Sequence, residues 1–174
     1  MIRVLALIIV FLLPLVAESS ENDKHMLGLS ISYNCEDPYR IFMTVENMSH
    51  QGIELSEGQL PWAINARSIH VKVVAIEGNK HEVVRSTYPI ADYFGSVSLA
   101  PGEKISGTHD LQMSYPDLKE TTKQTSVLAS FRPGRIFTSG LGAIVLHAPS
   151  WDIYFPERAI FGSVCPSIVI GTPD

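Results

Sequence analysis

"SLAPGEKISGTHDL", residues 98–111, decides how the rest of the chain is read. Two glycines bracket a lysine, and Ser106, Thr108, His109 and Asp110 come next, which is the composition of a phosphate-cradling or catalytic loop. The order of the residues says otherwise. Pro101 presets φ for the first central position of a turn, and Gly102 supplies positive φ for the second, as a type II turn requires. Leu99 and Ile105 then take inward strand positions, Glu103 and Lys104 are solvated flanks, and 105–111 continues as strand. A phosphate loop needs a strand–loop–helix setting that this pattern lacks. His109 and Asp110 are neighbours in a strand, so their side chains leave on opposite faces and cannot serve as a base and its orienting partner. Gly107 marks a bulge or a close approach to the backbone. The stretch predicts a hairpin that joins 96–100 to 103–111.

Strand signals extend outward from this turn. "LGLSISYN" (27–34) alternates, with Leu27, Leu29, Ile31 and Tyr33 on one face. "YRIFMTVEN" (39–47) places Ile41, Met43 and Val45 inward, and "NMSHQG" (47–52) is a turn cluster. "SIHVKVVAIE" (68–77) leads through Gly78 and Asn79, a tight hairpin signal, into a return strand at 81–86. "SVLASF" (126–131), "GAIVLHA" (142–148) and "RAIFGSVC" (158–165) complete the set. No segment sustains helical apolar spacing; 88–95 and 116–122 have room for about one helical turn each. Eight or nine short strands with regular turns predict an all-β fold, an antiparallel immunoglobulin-like β-sandwich of about 7–9 strands.

The chain has 174 residues, 45% hydrophobic and 18% charged, and carries a net charge of −5. One domain is the default at this length. The acidic balance argues against a nucleic-acid partner, since phosphate neutralisation needs a basic face. The first residues, "MIRVLALIIVFLLPLVAESSENDKH", carry Arg3, an apolar run from Val4 to Val16, and small residues at Ala17 and Ser19. This is a signal-peptide pattern over 1–19, too short for a spanning helix, followed by a polar disordered leader at 20–26. A single β-sandwich domain then fills 27–174, with a Gly- and aromatic-rich C-terminal segment at 134–174. The expected localisation is periplasmic or secreted, with no stable membrane insertion after signal cleavage.

Export makes a disulfide between Cys35 and Cys165, the two cysteines, the expected state. Such a bridge closes a very long loop and stabilises by about 4–5 kcal/mol in the chain-entropy model. Asn47 begins the sequon "NMS" in a turn of an exported chain and is a candidate glycosylation site. In "ELSEGQLPWAINARS" (54–68), Pro61 pins the chain and Trp62 is either a plug for one end of the sandwich or an exposed recognition element. Trp62, Trp151, Tyr154 and Phe155 are the candidate partner surface, because aromatic clusters favour interfaces. Motifs for nucleophile elbows, zinc peptidases, P-loops and Ca²⁺ loops are absent, so no catalytic, metal or cofactor residue is assigned.

The runs "VENMSHQGIELSEGQLPW" and "VSLAPGEKISGTHDL", followed by "YPDL" and "SVLASF", resemble small exported Ig-like β-sandwich domains, mostly bacterial. The same order is similar to the β-sandwich pro-region of deuterolysin-type secreted metallopeptidases. The resemblance covers roughly 39–131 and rests on turn chemistry. It implies the accessory sandwich without the enzyme, as the chain carries no HExxH motif. The expected function is a non-enzymatic exported binding or accessory protein with a protein partner and no cofactor. Two alternatives are a secreted peptidase inhibitor or pro-domain-like chaperone acting through 54–65, and a hydrolase with dispersed acids.

Overall fold

The structure is a computed structural model and describes residues 26–63, 68–87, 95–138, 141–157 and 166–170. The segment 1–19 read as a signal, most of the expected leader, the helix candidate's residues 88–94 and the strand expected at 158–165 lie outside the described residues.

Among the described residues, twelve strands and two short α-helices succeed one another. They are β1 (Leu27–Asn34), β2 (Asp37–Asn47), β3 (Ile53–Ser56), β4 (Ile69–Glu77), β5 (Lys80–Val83), β6 (Ser96–Leu99), β7 (Lys104–Asp110), α1 (Leu111–Ser114), α2 (Leu118–Gln124), β8 (Ser126–Pro133), β9 (Arg135–Thr138), β10 (Gly142–His147), β11 (Trp151–Phe155) and β12 (Ser167–Ile170). The count exceeds the expected 7–9 because β3, β9 and β12, of four residues, and β11, of five, are too short to stand out by alternation.

The strands form two five-stranded sheets, ordered β7-β2-β1-β10-β9 and β12-β11-β8-β4-β5, with β3 and β6 paired separately. The core lies between the sheets. Ile41, Met43 and Val45 of β2 and Val127, Ala129 and Phe131 of β8 are fully buried. Alternation is the cause: successive side chains leave on opposite faces, so one apolar set per strand faces the other sheet. Tyr39 of the first sheet stacks on Phe155 of the second, with ring centroids 5.5 Å apart. Its hydroxyl lies 2.5 Å from Thr122 Oγ1 on α2, so the phenol is buried with its polar end satisfied. The all-β sandwich is therefore as expected, with one departure from antiparallel pairing: β1 and β10 run parallel, with Leu27 opposite Leu146 and Gly28 opposite His147.

A second departure lies within 98–111. The turn itself has the expected form: Gly102 has φ of +76° and the Glu103 N–H donates to the Ala100 carbonyl at 3.0 Å. It does not close a hairpin. β6 pairs with β3, Ile53 opposite Leu99, while β7 pairs with β2, Val45 opposite Ile105. β7 also stops at Asp110, one residue early, because the Asp110 carboxylate accepts the Gln112 N–H at 2.9 Å and caps α1. At 78–79 the expected tight turn is present, with Gly78 at φ +56°. The return strand ends at Val83, however, and Val84 turns inward, its N–H donating to the Val73 carbonyl.

Between the sheets the chain crosses twice on one side. Gly134 carries it from β8 to β9, and its N–H donates to the Ser68 carbonyl at 2.8 Å. Residues 148–150 return it from β10 to β11.

Candidate functional site

Asn47, the sequon residue, is fully buried at the end of β2. Its side-chain amide donates to the carbonyls of Gln51 (2.7 Å) and Leu99 (2.9 Å). Its side-chain oxygen accepts from the backbone N–H and the hydroxyl of Ser49, at 3.0 and 2.6 Å. Its backbone N–H donates to Glu103 O and its carbonyl accepts from Gly102 N. Every polar atom of the residue is spent on tying the 47–52 loop to the 99–103 turn. Asn47 is thus corrected from a glycosylation site to a structural junction: a glycan needs the amide nitrogen that here bridges two buried carbonyls. The same bonds explain why the turn is a corner. They hold Leu99 and Gly102 against the end of β2, so the chain leaving the turn meets β2 instead of β6.

Trp62 is half-buried beside β7. Its indole lies so close over Gly107 that a β-carbon there would stand 2.2 Å from Cε2. Gly107 is therefore the close-approach glycine that its place in the strand predicts. Leu60, Pro61 and Ala63 around Trp62 are buried, so this part of 54–65 is folded inward; residues 64–67 lie outside the described residues.

His109, two positions beyond Gly107 and on the same face of β7, is 8% exposed. Desolvation lowers its pKa below the ordinary 6.5, and the neighbouring Asp110 carboxylate opposes that by raising it. Its Nε2 is buried with no hydrogen-bond partner among the described residues. Asp110 is turned away and bonded to Gln112, so the two residues do not act together, as their adjacency in a strand predicts.

The four aromatics do not make one surface. Trp151 (5% exposed) and Phe155 (1%) are inward on β11, with Ile153 between them, and belong to the core. Tyr154 is exposed on the opposite face and donates to Ser126 Oγ at 2.9 Å. Trp62 sits at β7, on the other sheet. This corrects the candidate partner surface: the period of a strand, which turns alternate residues to opposite sides, separates Tyr154 from the buried Trp151 and Phe155.

Cys35 lies exposed in the turn between β1 and β2 and is not a free thiol. Cys165 lies outside the described residues. The Tyr33 hydroxyl donates to the Pro166 carbonyl, which brings the residue after Cys165 to the end of β1.

The double crossover frames a cleft of about 590 Å³. Arg132, Pro133, Val145, His147, Ala148 and Pro149 are among the residues that line it. Arg132 is held by Asp152, 3.0 Å from its Nη1. His147 also lines a smaller cleft of about 220 Å³ on the outer face of the first sheet, with Gly28, Met48 and Lys104. Its lining sets Arg132, His147 and Ser150 among Pro133, Val145, Ala148 and Pro149. Residue patterns point elsewhere. The signals present in the sequence are the corner "RPG" at 132–134 and the proline-containing return "HAPS" at 147–150, both turn chemistry without an aromatic.

Glu103, Asp110 and Asp152 serve local structure. Glu103 accepts the Ala100 N–H at 2.8 Å, and Asp152 pairs with Arg132. Among the described residues, no three His, Cys, Asp or Glu side chains gather as a metal-binding group, and no helix is long and apolar enough to cross a membrane. No protein-family model matches the chain, and no curated protein is significantly similar to it.

Proposed function

We propose that this chain is a non-enzymatic exported β-sandwich protein, periplasmic or secreted, that binds a protein partner as an accessory. The observation that carries the binding reading is the crossover cleft, where Arg132 and His147 stand among the apolar Pro133, Val145 and Pro149. Export is supported by the leader pattern at 1–19 and by the contact of Tyr33 with Pro166, which favours a Cys35–Cys165 bridge.

An immunoglobulin-like topology is supported by strand order. β1, β2 and β7 are neighbours in one sheet and β4, β8 and β11 in the other, the A-B-E and C-F-G groupings of that fold. The likeness to a metallopeptidase pro-region supports an accessory role, and its two motif stretches meet here at Asn47. The inhibitor reading draws no support from the inward-folded Leu60 and Pro61. The hydrolase reading draws none from the local roles of Glu103, Asp110 and Asp152.

A photo-cross-linking residue placed at Val145 in the exporting cell tests the binding reading. A discrete adduct at 145, absent when the same residue replaces Lys72 on β4, is the expected result; no adduct specific to 145 overturns it. Export is tested by the mass of the protein outside the cytoplasm, which loses roughly the first 17–20 residues if the signal reading holds. Retention of the uncleaved chain in the cytoplasm overturns that part.

A further inference from the structure

Arg132 lines the cleft with one nitrogen already committed. Its Nη1 donates to the carbonyls of Phe131 (3.1 Å) and Trp151 (3.4 Å) and to Asp152 Oδ1 (3.0 Å). Among the described residues, Nε and Nη2 have no partner. A guanidinium anchored through one nitrogen is fixed in orientation and keeps its other N–H groups for a second planar acceptor. The side chain is 46% exposed, so a ligand can reach it.

The walls have the opposite chemistry. Pro133 and Pro149 are stiff, and Val145 is 48% exposed. They are held in place by the crossover itself, where the Leu146 N–H donates to Gly134 O and the Gly134 N–H to Ser68 O. A pre-oriented cation beside fixed apolar walls selects an anion attached to an apolar body. Because the open groups are an Nε–H and Nη2–H pair, the matching anion is a carboxylate, whose two oxygens meet that edge of the fork.

We propose that the crossover cleft recognises a carboxylate borne on an apolar group. Arg132 receives the carboxylate through Nε and Nη2, and Pro133, Val145 and Pro149 receive the apolar part. This rests on the cleft being the binding site, and it names the chemistry the site reads. Asp152 shares the guanidinium and offsets part of its charge, so the carboxylate selects among ligands that the walls also hold.

The test is a titration of the full-length chain with three probes, tracked through the backbone amide resonances of Gly134, Leu146 and His147. The probes are a short apolar peptide with a free C-terminal carboxylate, the same peptide as its C-terminal amide, and octanoate. The expected result is saturable shifts at those amides and binding of the acid at least about tenfold tighter than the amide. Arg132→Gln abolishes that preference and Arg132→Lys keeps part of it. Val145→Glu, on an exposed wall position, abolishes binding of both peptides while the far-UV spectrum is unchanged. Octanoate binding alone assigns the carboxylate to a small acid, and binding of the free-acid peptide assigns it to a chain terminus; either supports the proposal. Measurable and equal binding of the acid and amide peptides, or no saturable shift with any of the three probes at millimolar concentration, overturns it. If the Val145 cross-link persists alongside such a result, the cleft remains a binding site and only its carboxylate chemistry falls.

Discussion

The indole of Trp62 rests on the backbone of Gly107, with three ring atoms 2.2 to 2.4 Å from where a β-carbon would be. A glycine in an edge strand ordinarily weakens it, and alanine there ordinarily helps. Here alanine forces the ring off β7. Gly107→Ala is expected to lower stability by about 1–3 kcal/mol. Trp62→Ala also destabilises, because the ring covers part of the core. The double variant is expected to be no less stable than Trp62→Ala alone, since the methyl group then has room. Urea unfolding of the three variants measures the coupling. A neutral Gly107→Ala, or losses that add, removes the contact as an explanation for the glycine.

Asn47 joins two segments that are some fifty residues apart in sequence, so its replacement should be costly in a particular order. Asn47→Ala takes the side-chain donor from the buried Leu99 carbonyl, at about 1–3 kcal/mol, while the Gln51 carbonyl keeps the Ser49 hydroxyl. Asn47→Asp is expected to be worse, because a carboxylate then faces two carbonyl oxygens in a buried site. Ser49→Ala removes a single hydroxyl from the same network and should cost about 1 kcal/mol. Denaturant midpoints falling in the order wild type, Ser49→Ala, Asn47→Ala, Asn47→Asp are the expected outcome. The folded protein made in a glycosylating secretory host should keep its polypeptide mass at this site, and a glycan on Asn47 of folded material contradicts the junction.

Period-two patterns make β1, β2, β4 and β8 legible, since each carries three or more alternating apolar residues that a sheet must bury on one side. Turn chemistry at Pro101 and Gly102 is equally legible, because it is a local φ requirement. The pairing of the strands on either side of that turn is not. Local rules specify how the chain reverses and are silent on which strand it meets; that is decided by Asn47, through bonds to Leu99 and Gly102 with no sequence spacing of their own. "WDIYF" shows a different failure. Its alternation places Trp151, Ile153 and Phe155 on one face, but aromatic composition alone suggests an interface. The cleft is hidden for a third reason: it is formed by two crossovers, and neither corner has a side-chain pattern.

The disulfide proposed between Cys35 and Cys165 predicts a redox-dependent stability. β1 and β12 are each paired to a neighbouring strand without the bridge, so reduction should leave the fold recognisable. The bridge acts mainly by restricting the unfolded chain, and its loss is expected to cost about 4–5 kcal/mol. Protein recovered from outside the cytoplasm, alkylated in denaturant without reductant, should take up no label; after reduction it should take up two. Thermal melts with and without reductant should differ for the wild type and coincide for the Cys35→Ser, Cys165→Ser double variant. Two labelled thiols in the unreduced exported protein remove the bridge.

His109 predicts the acid side of the stability profile. The residue is held on the inward face of β7, opposite Ile41 of β2, with its Nε2 unpartnered among the described residues. Burial disfavours the imidazolium, and Asp110 next along the strand offsets only part of that penalty, so the folded-state pKa lies below 6.5. Above about pH 6.5 the imidazole is neutral in both folded and unfolded chains, and the site contributes no pH dependence. As the pH falls below that value the unfolded chain takes up a proton that the folded chain refuses. Stability therefore decreases until the folded-state pKa is reached, and then levels. His109→Leu removes both the titration and the unsatisfied nitrogen, so its midpoint should match or exceed wild type at about pH 7 and the gap should widen toward about pH 5. His109→Gln should also lose this pH dependence, at the cost of a buried amide. Subtracting the urea midpoints of the leucine variant from those of wild type across this range isolates the contribution. A difference that stays constant with pH, or that shrinks toward acid, means the imidazole is not held neutral by burial in the fold.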